Sequence, residues 1–341
     1  MPRLPRLAKR LGLSLGSLVV AVAATELVVR ATEPGPYSLF DRNPYVDSEV
    51  DDHVRHRPDF VGRWDGTWYV TDRRGFRGPE REPTFAEDEL RVACVGDSCT
   101  FGKGVLEEAC WPRQLEARLR EGGRNAVVFN LGINGGRGKV YRALLDEHAD
   151  ELKPNVIALG YNINDFPNTI KAVDERVYKD RSLRRLIPEG LRNAFGRLAL
   201  YRKLRQVYYD ARKERDWAAA EATARETADE PIDSAVWEKE RGYLEAIGAH
   251  AERHGARVVV FLFPYESQVF LESYDATPIE RLRELCGSLG MPFVDLATEF
   301  RAAARSTEPP TQLFLAGDRY HPNALGYGIV ADRVLAAIER E

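Results

Sequence analysis

A serine lies directly after an apolar, strand-like run of the sequence. The run ends in Gly96-Asp97-Ser98, and Thr100 and Gly102 follow. A serine on a tight turn between a strand and a helix exposes its hydroxyl and places its own N–H near a helix N-terminus. Both properties suit a nucleophile that attacks a carbonyl carbon and then stabilises the resulting oxyanion. From these residues alone, a small-residue turn that serves only packing is the alternative.

A second polar segment, DRYHPN at 318–323, precedes the last helical pattern of the chain. The three-residue spacing allows the Asp318 carboxylate to orient the His321 imidazole, whose other ring nitrogen can take a proton from a serine. Asn323 is a typical helix N-cap, which fixes the backbone before the helix. The sequence therefore predicts Ser98, Asp318 and His321 as catalytic partners. The other five histidines lack such a setting, and a solvated surface is predicted for His53 and His56.

Two further strand-like runs end in loops rich in glycine and asparagine. One loop contains Asn130 and Gly135, and the other contains Asn162 and Asn164. Glycine lets backbone N–H groups approach a ligand closely, and an asparagine amide can donate a hydrogen bond to an oxyanion. Because ligands bind beyond the carboxyl ends of the strands in doubly wound sheets, we expect these loops near Ser98.

The elements that must position these residues alternate between strand and helix from Leu90 to the C-terminus, with an interruption after residue 166. This alternation predicts a doubly wound α/β domain with three α/β/α layers and a central parallel sheet. We expect three parts: 1–32, a basic tip and membrane helix; 33–89, a linker with an aromatic, β-rich segment packed on the main domain; and 90–341, the α/β domain. The charged helical stretch at about 166–236 is either a cap beside the site or a pair of ordinary covering helices.

Nucleotide and metal sites are disfavoured by spacing. A phosphate-binding P-loop needs four residues between its glycines, whereas Gly96 and Gly102 have five between them, and Lys103 is followed by Gly104. Neither glycine-rich loop supplies G-x-G-x-x-G, and no C-x-x-C pair is present. The sequence predicts no cofactor and no metal.

The four segments together resemble, in order, the four motif blocks of the SGNH or GDSL-like serine hydrolases. The resemblance implies a flavodoxin-like fold and an esterase in which Ser98 is the nucleophile and Asp318 and His321 activate it. It also implies an oxyanion hole formed by the Ser98 N–H, the Gly135 N–H and the Asn164 amide.

Two positions depart from the family pattern. The third block is usually G-x-N-D, but Asn162 stands where glycine is expected; counting without gaps from Pro154 favours Asn164 and leaves Asn162 as the alternative. In the second block Gly132 and Gly136 compete with Gly135, and spacing from Asn130 selects Gly135.

The pattern of the N-terminus predicts an export signal. Basic residues precede an apolar run from Leu11 to Val29 that only Glu26 interrupts, a length close to the ~20 residues that span a bilayer. The sequence favours an uncleaved single-pass anchor over cleavage at Ala21-Val22-Ala23. The catalytic domain is then expected outside the cytoplasm, periplasmic or extracellular.

Composition limits the partners. A formal net charge of -4 gives no general attraction for polyanions, so nucleic acid is not expected. In an exported chain the four cysteines could form disulfides, with Cys99 and Cys110 as the candidate pair, whereas Cys94 and Cys286 lie in runs typical of buried free thiols.

These features predict a serine esterase acting on an ester-bearing small molecule, lipid or cell-envelope glycan. Acetyl is one of the acyl groups that such an enzyme could remove. A polysaccharide O-acyltransferase that uses the same residues is one alternative. A catalytically silent binding module on the same fold is the other.

Overall fold

The computed structural model describes residues 4–32, 42–48, 53–166, 198–201, 203–204, 207, 234–270, 274, 276–306, 311–315, 318 and 320–340. Most of the sequence-predicted helical stretch at 166–236 lies outside the described residues. The chain divides into two compact units. One comprises Met1–Asn43, Arg63–Gly66 and Asp180–Glu214, and the other comprises Pro44–Gly62, Thr67–Lys179 and Arg215–Glu341.

The larger unit contains a parallel five-stranded sheet in the order β6-β5-β7-β8-β9. These strands are β5 (Leu90–Gly96), β6 (Ala126–Gly132), β7 (Val156–Asn162), β8 (Arg257–Phe263) and β9 (Phe293–Asp295). The first strand of the sheet therefore lies between the second and the third, which is the flavodoxin-like order. In such a sheet the crevice for a ligand opens where the strand order reverses, at the carboxyl ends of β5 and β7.

Helices cover both faces of this sheet, as the sequence predicts. The helices of the larger unit are α2 (Ser98–Phe101), α3 (Trp111–Glu121), α4 (Gly138–Leu152), α5 (Ser234–Arg253), α6 (Glu266–Phe270), α7 (Thr277–Ser288), α8 (Leu296–Ala304) and α9 (Ala324–Glu339). The apolar side chains of α4, α5 and α7 form one core with the sheet, and those of α3, α8 and α9 form the other. Burial of the strands on both faces explains their nearly continuous apolar sequences.

Short strands precede the sheet in the chain. They are β1 (Tyr45–Asp47), β2 (Val54–His56), β3 (Val61–Trp64) and β4 (Thr67–Val70), and β1 pairs with β2 in an antiparallel hairpin. Within the larger unit this segment packs against α2, because the His56 ring stacks on Phe101 at 3.9 Å between centroids.

The smaller unit contains α1 (Leu4–Thr32), of which Gly12–Thr32 is long and apolar enough to cross a membrane. Such a helix near the N-terminus is also typical of a signal sequence. The Glu26 carboxylate, the polar interruption of the helix, pairs with Arg30 at 2.8 Å. It also accepts hydrogen bonds from the backbone N–H groups of Ala199 and Leu200 at 2.9 and 2.8 Å.

All four cysteines are buried and free, so the candidate Cys99–Cys110 disulfide is not formed. The two thiols have separate partners: Cys110 Sγ donates to the Glu107 carbonyl at 2.9 Å, and Cys99 Sγ donates to the Tyr320 carbonyl at 3.1 Å.

Candidate active site

Ser98 is the first residue of α2, immediately beyond the end of β5. The Asp97 side chain caps this short helix by accepting a hydrogen bond from the Cys99 N–H at 2.8 Å, and Gly102 ends it in the left-handed conformation with φ 81°. Gly132 of the neighbouring strand allows the close approach of α2, since a Cβ there would collide with the backbone of Phe101. These contacts fix the turn that carries the serine.

The structure brings Ser98, His321 and Asp318 together in a continuous chain of hydrogen bonds. His321 Nε2 lies 2.8 Å from Ser98 Oγ, and His321 Nδ1 lies 2.6 Å from Asp318 Oδ2. Ser98 is 9% exposed and His321 4% exposed, so both groups lie in a largely water-excluded setting.

The geometry also assigns the hydrogens on the imidazole. Burial by itself would raise the pKa of Asp318, but the hydrogen bond and charge of His321 and two backbone N–H groups lower it to about 2. Asp318 is therefore a carboxylate at neutral pH and accepts the hydrogen of Nδ1. The neutral imidazole then has its lone pair on Nε2, facing the serine hydroxyl.

The loop before α9 holds His321 in place from both sides. The Leu315 N–H donates to the His321 carbonyl at 3.0 Å, and Phe314 forms an isolated antiparallel bridge with Pro322. Asn323 caps α9 by accepting from the N–H groups of Leu325 and Gly326 at 3.0 and 3.1 Å. The backbone on each side of the imidazole is thus fixed by hydrogen bonds.

The loop after β6 presents three glycines in different settings. The Gly132 N–H donates to the Asn130 side chain at 3.0 Å, and the Gly136 N–H donates to the Ile133 carbonyl at 2.9 Å. Gly135 has φ 76°, in the left-handed region that favours glycine, and its N–H has no acceptor among the described residues. Of the three, Gly135 is the glycine whose N–H remains available to a ligand.

The two candidate asparagines lie on either side of the end of β7. Asn162 is the last residue of the strand, is fully buried, and donates through Nδ2 to Cys99 Sγ at 3.1 Å. Asn164 lies in the following 3-10 turn, Ile163–Asp165, and its side chain is outside the described part of the structure. The Asn164 assignment therefore stays a prediction.

Asp165 anchors that turn from inside the core. Its Oδ2 accepts from the Asn162 N–H at 3.0 Å and from the Tyr141 hydroxyl at 2.8 Å. Burial, together with the nearby charge of Asp97, raises the pKa of Asp165 well above its ordinary value.

The two N-terminal histidines differ from the sequence-based prediction of a solvated surface. His56 is 3% exposed, and burial together with the charge of Arg77 lowers its pKa to about 3, so that it is a neutral ring in the core. His53 is partly buried, and its Nε2 lies 3.1 Å from the Asn134 carbonyl, next to Gly135. The sequence did not predict the buried environment of His56 or the contact of His53 with Asn134. The aromatic residues of this segment were its only indication of packing.

Among the described residues, no group of three or more His, Cys, Asp or Glu side chains could hold a metal ion.

A family model described as the GDSL-like lipase/acylhydrolase family matches residues 94–329, which include Ser98, Gly135, Asn164, Asp318 and His321. No curated protein matches the chain significantly.

Several solved structures are similar to the chain at low identity. An alpha/beta hydrolase enzyme from the metagenome of Lake Arreo is 19% identical, with 74% of this chain and 95% of that chain covered and a TM-score of 0.46. A catalytic mutant of an acetylxylan esterase from Geobacillus stearothermophilus is 13% identical, with 75% and 96% covered and a TM-score of 0.45. A member of the lipolytic protein G-D-S-L family from Veillonella parvula is 16% identical, with 74% and 99% covered and a TM-score of 0.43. At these values the family match alone bears on function.

Proposed function

The chain belongs to the GDSL-like lipase/acylhydrolase family, and we propose that it hydrolyses carboxylic esters outside the cytoplasm through an acyl-enzyme on Ser98. The observation that carries the proposal is the chain of hydrogen bonds from Asp318 through His321 to Ser98, at 2.6 and 2.8 Å. A binding module on this fold would not need a carboxylate, an imidazole and a hydroxyl that are hydrogen-bonded in this order.

The first half of the reaction forms the acyl-enzyme. Ser98 Oγ attacks the carbonyl carbon of the ester while His321 Nε2 takes the hydroxyl proton, and the carbonyl π electrons move to the oxygen. The resulting tetrahedral intermediate collapses as the bond to the alcohol oxygen breaks. His321 returns the proton to that oxygen, so that the alcohol leaves neutral.

The second half releases the acid. Water takes the place of the alcohol, gives its proton to His321 Nε2 and attacks the acyl carbon. Collapse of this second intermediate breaks the bond to Ser98 Oγ, which recovers the proton from His321. Throughout, the Asp318 carboxylate stays ionised and stabilises the imidazolium that forms at each step.

We assign the oxyanion hole to the Ser98 N–H, the Gly135 N–H and the Asn164 amide. The left-handed backbone and available N–H of Gly135 support its part in this assignment. The full burial of Asn162 and its hydrogen bond to Cys99 give that amide a structural partner, which favours Asn164 as the donor to substrate.

The test is hydrolysis of p-nitrophenyl acetate together with labelling by a fluorophosphonate probe. We expect the wild-type chain to react with both, and Ser98→Ala to lose both. Ser288→Ala, at an exposed serine of α7, is the matched control and should behave as wild type. Labelling or acetate release by Ser98→Ala at the wild-type rate would overturn the assignment.

The same assay, run with a sugar acceptor, distinguishes hydrolysis from acyl transfer. Hydrolysis releases one equivalent of free acid for each ester consumed, whether or not the acceptor is present. A loss of ester without matching free acid in the presence of acceptor would instead identify the acyltransferase alternative.

We further propose that α1 is an uncleaved anchor that holds the hydrolase domain outside the cytoplasm. The 21 residues of Gly12–Thr32 support this proposal, because at about 1.5 Å per residue they reach the ~30 Å of a bilayer core. The contacts of Glu26 explain how this apolar helix accommodates a carboxylate. Retention of the intact N-terminus in the membrane fraction, measured by mass spectrometry of the purified chain, is expected; a mature form that begins at Ala24 would show cleavage instead.

A further inference from the structure

We propose that His53, which precedes the family-matched region of the chain, is a positioning residue for the oxyanion hole. It holds the peptide unit between Asn134 and Gly135, whose N–H is the proposed donor to the substrate. The inference rests on the role proposed for Gly135. It gives a function to the hairpin of β1 and β2, which contributes none of the proposed catalytic groups.

The peptide bond between Asn134 and Gly135 is planar. The carbonyl of Asn134 and the N–H of Gly135 belong to the same peptide unit, and in a trans peptide they point in opposite directions. His53 Nε2 lies 3.1 Å from the Asn134 carbonyl oxygen. Because a carbonyl oxygen only accepts, Nε2 carries the hydrogen and donates it. This bond fixes the direction of the carbonyl and therefore the direction of the Gly135 N–H.

Donation to the carbonyl also strengthens the N–H on the other side of the peptide. Hydrogen bonds in a chain polarise one another, by roughly 10–30% per bond. This polarisation stabilises a substrate oxyanion that accepts from the Gly135 N–H more than it stabilises the neutral substrate carbonyl. The contact is thus expected to act on turnover more than on substrate binding.

A second contact restrains the same loop through its side chain. Asn134 Nδ2 donates to the Tyr45 hydroxyl at 2.6 Å. Tyr45 and His53 therefore hold the side chain and the carbonyl of the same residue, from β1 and from the residue just before β2. The hairpin of β1 and β2, which lies outside the five-stranded sheet, thus makes two hydrogen bonds to Asn134 at the edge of the site.

The hairpin itself is fixed to the hydrolase domain by contacts that do not involve this peptide. The neutral His56 ring stacks on Phe101 of α2 at 3.9 Å between centroids. Arg55 Nη2 forms an ion pair with Glu147 Oε1 of α4 at 2.7 Å. These anchors make His53 a rigid donor rather than a side chain on a free loop.

The His53 imidazole also lies close to Gly135 itself. A Cβ there would lie 3.5 Å from His53 Cε1 and 4.0 Å from His53 Nε2, in ordinary van der Waals contact with the imidazole. The imidazole is thus packed against the residue whose N–H it orients.

The experiment compares His53→Gln with His53→Asn in the full-length protein. A glutamine amide nitrogen reaches the position of Nε2, whereas an asparagine amide reaches only that of Nδ1. We expect His53→Asn to lower kcat for p-nitrophenyl acetate roughly 10- to 100-fold with KM changed less than about threefold, since an oxyanion donor is misdirected rather than removed. His53→Gln should recover most of that loss. The affinity of a boronic acid inhibitor, which forms a tetrahedral anion at the serine, should fall in parallel with kcat.

Two further variants complete the test. Arg55→Ala removes one anchor of the hairpin but leaves the loop and the stacking of His56 on Phe101 in place. Its thermal stability should fall, and its kcat should stay within about threefold of wild type. Ser98→Ala reports separately on the proposed function. Equal kcat for wild type and His53→Asn, or equal losses in His53→Asn, His53→Gln and Arg55→Ala, would overturn the role of His53. If Ser98→Ala keeps activity, the proposed function fails instead.

Discussion

The two halves of the candidate site are built in different ways. The Ser98 and His321 half is a chain of side-chain hydrogen bonds between the turn after β5 and the loop before α9. The Gly135 half is made of backbone, and side chains from an earlier hairpin hold it in place. In the proposed mechanism the first half transfers protons, and the second stabilises the oxyanion without transferring protons.

Two aspartates show the same contrast. The Asp318 side chain is 25% exposed, and the hydrogen bond and charge of His321 together with two backbone N–H groups lower its pKa to about 2. Asp165 is fully buried with a tyrosine hydroxyl and a backbone N–H as partners, and burial raises its pKa well above its ordinary value. Of these two carboxyl groups, only the one that is hydrogen-bonded to an imidazole has a lowered pKa.

The largest expected effect comes from breaking the side-chain half. Ser98→Ala and His321→Ala should each lower kcat on the order of 10⁵- to 10⁶-fold, because the nucleophile and its base act as a unit. For the same reason the double variant should lose little more than either single one. Steady-state kinetics on p-nitrophenyl acetate measures all three, and additive losses would show that the two residues act independently.

Asp318→Asn should have the next largest effect. The amide preserves the shape of the side chain but favours the wrong imidazole tautomer, and a loss of about 10⁴-fold in kcat is expected. A loss below tenfold would mean that Asp318 does not orient His321. Circular dichroism of the variant shows whether the fold is intact.

The backbone half can be tested at its one predicted side chain. Asn164→Ala should lower kcat roughly 10²- to 10³-fold with a small change in KM, as the loss of one oxyanion donor does. Asn162→Ala, which removes the hydrogen bond to Cys99, should lower kcat less than about tenfold. The reverse order of the two losses would transfer the donor role to Asn162.

The smallest expected effect concerns a buried carboxyl behind the backbone half. Burial raises the pKa of Glu240 to about 7, although the Tyr161 hydroxyl and the Arg137 charge act in the opposite direction. The ordinary pKa of a glutamic acid side chain is 4.5, so between that pH and about 7 the folded state binds a proton that the unfolded state has lost. The free energy of unfolding should therefore fall as the pH rises through this window, by roughly 2–3 kcal/mol.

Glu240→Gln removes the titrating group and should flatten that part of the profile. Urea unfolding of wild type and variant at pH 5 and pH 8 measures the difference. Parallel profiles would assign the pH dependence to other groups.

The side-chain half could be predicted from the sequence because its signals are local. A turn after an apolar strand points to Ser98, and a carboxylate three residues before an imidazole and an N-cap after it point to His321. Parallel pairing of β5 with β6 and β7 then brings the polar loops to one edge of the sheet, so the fold class also follows from the alternation of elements.

The contacts of the hairpin could not be predicted in this way. His53 and Asn134 are 81 residues apart, and neither periodicity nor turn chemistry links them. The prediction of a solvated His56 was wrong because the neighbouring aspartates and histidine suggested a polar surface, whereas its ring packs on Phe101. The sequence could not decide between Asn162 and Asn164 because it does not fix the last residue of β7. A shift of that end by one or two residues changes which asparagine lies in the strand and which lies in the following turn.

In the proposed mechanism, the distance along the chain between Ser98 and His321 determines how early during synthesis the protein can become active. These residues are 223 positions apart, and a ribosome adds roughly 5–20 residues per second. The serine of a growing chain therefore waits for roughly 10–45 s without its base. Until then the chain carries a nucleophile that is no more reactive than any other serine, and activity begins only when the segment that precedes α9 has docked.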